Sequence, residues 1–111
     1  MGLLDFLIRS DINVGVRKCQ ADPAGVLVDV REPEEFLHRR IPGSVNLPLS
    51  ALDTAPEVFP DKDRPLYLYC YSGARSGQAA AALRRMGFTQ VSDIGGIKTY
   101  NGPTARGEQQ A

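Results

Sequence analysis

The sequence predicts a single α/β domain: a parallel sheet with helices on both faces. Two patterns lead there. Short apolar, β-prone runs alternate along the chain with longer segments that read as helices. The run at 26–30, Val-Leu-Val-Asp-Val, is almost wholly apolar, as a strand covered on both sides must be. Size agrees, because 111 residues make one domain that buries roughly 65% of its unfolded surface without metal or disulfide staples. The domain is read as 1–111, with no internal repeat and no linker.

Each element has a local reason. The apolar start supports a short helix at about 3–9, and a second helix is expected over 13–20. Pro23 and Gly25 turn the chain into the strand at 26–30. Pro33 suits a helix's first turn, and Glu34 and Glu35 complement its dipole. That helix runs to about residue 40 and stops before Pro42-Gly43. A strand over 44–49 and a short helix over 51–59 follow, then a polar turn over 60–65. The third strand is 66–69, and the helix at about 76–86 ends at Gly87, a good residue just past a helix. A last strand, 91–94, is closed by Gly95-Gly96, and a polar tail of about 104–111 is expected to fray.

Composition narrows the function. Thirteen basic and thirteen acidic residues cancel, so no basic surplus points to nucleic acid or an anionic membrane. The start is interrupted by Asp5 and too short to span a bilayer, and it makes a poor signal peptide. A cytoplasmic protein is therefore the default. Two cysteines do not make a disulfide framework. Cys19 reads as a small apolar residue on a helix, with a bridge to Cys70 as the sharper alternative. No clustered ligand spacing suggests a metal, and no cofactor is expected.

Cys70 concentrates the chemistry. It ends the β-prone run Leu66-Tyr67-Leu68-Tyr69 and starts the loop Tyr71-Ser72-Gly73-Ala74-Arg75-Ser76 before an alanine-rich helix. Inward loop amides, a helix N-terminus and the Arg75 charge all favour a thiolate over a thiol. Asp29, Cys70 and Gly95 each end an apolar run, and in a parallel sheet those ends share one edge, where open α/β folds place their sites. Asp29 and Arg31 are candidate crevice residues, with a structural ion pair as the favoured reading. His38 sits among charges and reads as a solvated face residue, so a Cys-His protease has little support.

The motifs then take on a family likeness. Val28-Asp29-Val30-Arg31-Glu32-Pro33-Glu34-Glu35-Phe36, Ile41-Pro42-Gly43-Ser44-Val45-Asn46-Leu47-Pro48, Cys70 to Ser76, Gly95-Gly96 and Gly102-Pro103 occur in the order and spacing of a single-domain rhodanese. The chain resembles that sulfurtransferase family over about 25–103. The resemblance implies a rhodanese-like domain with a sheet of about five strands. It implies Cys70 as the nucleophile that takes sulfur from an anionic donor such as thiosulfate, becomes a persulfide, and passes the sulfur to a thiol or protein acceptor. Residues Tyr71, Ser72, Gly73, Ala74, Arg75 and Ser76 would form the substrate cradle, with Arg75 binding the donor.

Two positions depart from the family pattern. Arg40 stands where a histidine commonly precedes Ile-Pro-Gly, and Tyr100 stands where tryptophan is frequent. Both leave the crevice wall open to question. A phosphatase competes poorly, because cysteine phosphatases resemble one another in a Cys-x5-Arg loop and here four residues separate Cys70 from Arg75. A module that carries persulfide or binds a partner without turning over donor is the other alternative.

Overall fold

The computed structural model describes residues 11–108. The expected helix at 3–9 and the last three residues of the tail lie outside that range. Within it the chain runs α1 (Ile12–Ala21), β1 (Val26–Asp29), α2 (Pro33–His38), β2 (Val45–Asn46), a 3-10 segment (Leu49–Thr54), α3 (Ala55–Val58), β3 (Leu66–Cys70), α4 (Ala74–Arg85), β4 (Val91–Gly96) and a 3-10 turn (Ile97–Thr99). All strand pairs are parallel, in the order β2-β1-β3-β4. The order reverses between β1 and β3, so the crevice at their C-terminal ends is the switch point where such sheets place ligands.

Side-chain alternation sorts the strands onto two cores. Val26, Val28, Val30, Leu66, Leu68 and Cys70 face one cluster, with Ala79, Ala80 and Leu83 of α4 and Leu52 and Ala55 beneath. Leu27, Tyr69 and Ile94 face the other, against Ile12, Val16 and Cys19 of α1. α1 approaches β4 so closely at Gly15 that a Cβ there would sit 2.3 Å from Ile94 Cβ. The start of α1 is set by Asp11, whose carboxylate accepts the Asn13 N–H at 2.9 Å.

Four strands pair among the described residues, against the expected five or so, because only four β-prone runs exist to form them. The expected strand over 44–49 shrinks to Val45–Asn46, since Pro48 can donate nothing to the ladder. The helix expected to reach 40 ends at His38, because Arg39 and Arg40 are extended and Arg40 bridges Ala105. The expected helix over 51–59 divides at Ala51 and Thr54 into 3-10 and α segments. The tail is tighter than expected over its first residues. Ala105 is buried and exchanges both backbone bonds with Arg40 at 2.9 Å, and the Gly107 N–H reaches Leu37 O at 2.6 Å. Among the described residues no helix is long and apolar enough to cross a membrane.

Candidate active site

β3 carries Cys70 to the sheet edge, and the chain then turns over the N-terminus of α4. Gly73 makes that turn with φ +103°, a left-handed value that favours glycine, and caps the helix. α4 begins at Ala74, two residues earlier than expected, so Ala74, Arg75 and Ser76 form its first turn. Their N–H groups have no acceptor within the helix and point back at the loop. The Gly73 N–H donates to Cys70 Sγ at 3.0 Å. Sγ therefore holds this amide donor at the positive end of a 12-residue helix. Tyr71 and Ser72 are exposed on the rim, while Cys70 and Ser76 are fully buried.

Glycines let the loop lie on β4. A Cβ on Gly96 would fall 2.2 Å from Tyr71 O and 2.7 Å from Ser72 Cα. The Lys98 N–H holds the Tyr71 carbonyl at 3.2 Å. β3 and β4 slip register between Leu68 and Tyr69, with Leu68 opposite Asp93 and Tyr69 opposite Gly95. This bulge turns Asp93 toward α4. There its Oδ1 accepts from the Ser76 hydroxyl at 2.7 Å and from the Gly95 N–H at 3.2 Å.

Arg75 donates both Nη groups to the Glu35 carboxylate, at 2.7 and 3.0 Å. That guanidinium, by its hydrogen bonds above all, draws the Glu35 carboxyl down to about 2. Glu35 also accepts the Glu32 N–H at 3.0 Å as part of the α2 capping box. One carboxylate thus ties the Cys70 loop to the start of α2.

Asp29 and Arg31 form a buried ion pair at the end of β1. Strand parity turns Asp29 to the α1 face beside Tyr69, opposite the face that carries Cys70. Both are buried, and the Asp29 carboxylate accepts the Arg31 Nη2 at 2.6 Å, its Nε at 3.0 and 3.1 Å, and its backbone N–H at 2.9 Å. The Arg31 Nη2 also reaches Arg39 O at 2.5 Å. The pair locks the turn from β1 to α2. Burial chiefly, then the Asp29 charge, pushes the neighbouring Tyr69 hydroxyl far above its ordinary range.

Cys19 and Cys70 are both free thiols on opposite faces of the sheet. Burial, then the Asp22 charge, pushes the Cys19 thiol up to about 11. Tyr100 packs with the α1 cluster, away from the Cys70 face. Arg40 is buried over the Phe36 ring and binds Gly107 O at 3.0 Å. Sequence reasoning missed Asp93 as a site residue, and treated Glu35 as a dipole partner only. An acidic residue inside the short β-prone run before Gly95-Gly96 was the available signal.

Comparison with known proteins points the same way. The model of the rhodanese-like domain family matches residues 16–102. The uncharacterized protein YqhL of Bacillus subtilis (strain 168) is 39% identical over 101 residues, covering 90% of this chain and 75% of that protein. The thiosulfate sulfurtransferase PspE of Escherichia coli (strain K12) is 36% identical over 81 residues, covering 72% of this chain and 78% of its own length. A solved structure described as a rhodanese with anions from E. coli superimposes with a TM-score of 0.70 at 35% identity, covering 76% of this chain and all of that one. Further relatives are named as a sulfurtransferase and a putative sulfur carrier protein.

Proposed function

This chain belongs to the rhodanese-like domain family, and from that premise we propose that it moves sulfane sulfur from a thiosulfate-like donor to a thiophilic acceptor through a persulfide on Cys70. The observation that carries the reading is the seat of Cys70 Sγ: fully buried at the switch point, before the N-terminus of α4, with the Gly73 N–H on it at 3.0 Å. The thiolate attacks the outer sulfur of the donor. A new S–S bond forms on Cys70, the donor's own S–S bond breaks, and its electron pair leaves on sulfite. The amides of Tyr71 to Ser76 then hold the anionic terminal sulfur. An acceptor thiol or protein attacks that sulfur and returns Cys70 as thiolate.

Arg75 serves donor binding, with Glu35 as its resting partner and an incoming anion as the competitor. The six residues Cys70 to Arg75 make a ring suited to one sulfur atom, smaller than a phosphoryl group needs. A cytoplasmic setting suits two free cysteines. The test is Cys70→Ala: thiosulfate:cyanide sulfur transfer is expected to vanish while the circular dichroism spectrum stays native. Turnover retained in that variant refutes the mechanism.

A further inference from the structure

We propose that Glu35 is a specificity-determining residue of the Cys70 site: its carboxylate selects against doubly charged inorganic sulfur donors, such as thiosulfate, in favour of singly charged organic ones, such as alkyl thiosulfonates. The proposal rests on the sulfur-transfer reading of Cys70 and Arg75, and it assigns the class of donor that this site prefers.

From Cys70 to Ser76 only Arg75 carries a full charge. It stands in the first turn of α4, two residues after the glycine whose N–H holds Cys70 Sγ. It is the cation that the loop offers to a donor anion, and Glu35 already neutralises it. Arg75 Nη1 donates to Glu35 Oε1 at 2.7 Å and Nη2 donates to Oε2 at 3.0 Å, which fills the end-on fork of the guanidinium. A guanidinium owns five N–H donors, so others remain, but they lie beside a carboxylate.

Glu35 is anchored apart from Arg75. Its Oε1 also accepts the Glu32 N–H at 3.0 Å, in the capping box that starts α2. The Glu32 carboxylate is held in turn by the Ser50 hydroxyl, 3.0 Å from each oxygen. The Arg75 hydrogen bonds chiefly draw the Glu35 carboxyl down to about 2, so it is ionised at neutral pH. Arg31, the other cation whose charge Glu35 feels, is committed to Asp29 at 2.6 Å. Both members of the Glu35–Arg75 pair are about a third exposed, so a donor in solution can reach them. An anion that engages Arg75 therefore does so next to a fixed negative charge.

That repulsion grows with the charge of the donor. Thiosulfate is a dianion. Methanethiosulfonate keeps the same S–S bond and outer sulfur, but a methyl group replaces one charged oxygen, leaving a monoanion. With either donor the Cys70 thiolate attacks the outer sulfur, a new S–S bond forms on Cys70, and the donor's own S–S bond breaks. The electron pair leaves on sulfite from one and on methanesulfinate from the other. Both donors give the same Cys70 persulfide.

The test is kcat/KM for each donor, with cyanide as the acceptor. The persulfide half-reaction is common to both, so kcat/KM for the donor reports the first half alone. A unit charge at contact range in water is worth roughly fivefold. Glu35→Gln removes the charge and keeps an oxygen for the Glu32 N–H. We expect kcat/KM for thiosulfate to rise, mainly through a lower KM, and the thiosulfate-to-methanethiosulfonate ratio to rise roughly fivefold. Added salt should bring the ratios of parent and variant together by screening. Glu35→Asp keeps the charge and should keep the parent ratio. A carboxylate that only holds Arg75 in place for the donor predicts the reverse, a raised KM for thiosulfate in Glu35→Gln. A loop that has lost its shape slows both donors alike and leaves the ratio unmoved. A falling or unmoved ratio in Glu35→Gln, or the same shift in Glu35→Asp, overturns the assignment. Turnover of neither donor by the parent protein would instead remove the sulfur-transfer reading itself, and the assignment with it.

Discussion

Gly96→Ala puts the geometry of the nucleophile loop under direct strain. The added Cβ would lie 2.2 Å from Tyr71 O and 2.7 Å from both Tyr71 C and Ser72 Cα, where ordinary contact begins at 3.4 Å. β4 cannot give, because Gly96 pairs with Cys70 and Gly95 with Tyr69. The loop must give instead, by about 1 Å, losing the 3.2 Å bond from Lys98 to Tyr71. Overpacking of this kind costs about 1–3 kcal/mol, which lowers the melting temperature by roughly 4–12 °C in a domain of this size. The larger effect falls on chemistry, since a displacement of about 1 Å costs on the order of 10²-fold in rate. Single-turnover sulfur loading and a thermal melt measure the two effects on one sample. Gly43→Ala is the control: φ is +85° there and nothing lies within 4 Å, so it should cost stability and leave loading intact. Parental loading by folded Gly96→Ala would refute the claim that contact of the loop with β4 sets the site.

Other outcomes follow from the charged pairs. Asp29→Ala leaves the Arg31 guanidinium buried at 4% exposure without its carboxylate, and should cost about 3–5 kcal/mol in urea unfolding. Because Asp29 faces away from Cys70, loading by the folded variant should change little; selective loss of loading with stability intact would return Asp29 to the crevice. The Glu35–Arg75 pair gives a pH signature. The Glu35 carboxyl is lowered from 4.5 to about 2 in the folded protein, so its stabilisation is complete above about pH 4.5 and is lost as pH falls toward 2. Both partners are about a third exposed, so the size is held to about 0.5–1 kcal/mol. Stability of the parent relative to Glu35→Gln should therefore shrink through that acidic window; a constant difference contradicts the pairing.

Much of this was legible in the residues. Alternating apolar runs gave the parallel sheet, and Cys70 at a strand end before a helix gave the thiol its setting. Convergence at the sheet edge was readable too, but strand parity was the finer signal. Val26, Val28 and Val30 on one face already turn Asp29 to the other, which separates it from Cys70. Other features depend on contacts that spacing does not encode. The bulge that aims Asp93 at Ser76 is a register slip between strands more than twenty residues apart in the chain. The reach of Arg75 to Glu35 spans 40 positions. The grip of Arg40 on Ala105 turned part of an expected frayed tail into packed structure. Long-range pairing of this sort overrode the local polarity of the segment.

The central claim is that Cys70 carries sulfur. Mass spectrometry of the protein after thiosulfate treatment tests it most directly. The peptide containing Cys70 should gain one sulfur atom and release it when cyanide is added. The peptide containing Cys19, whose thiol burial holds at about 11, should stay unmodified and serve as the internal control. No adduct on Cys70 with thiosulfate or any persulfide donor, or an adduct on Cys19 instead, would contradict the account.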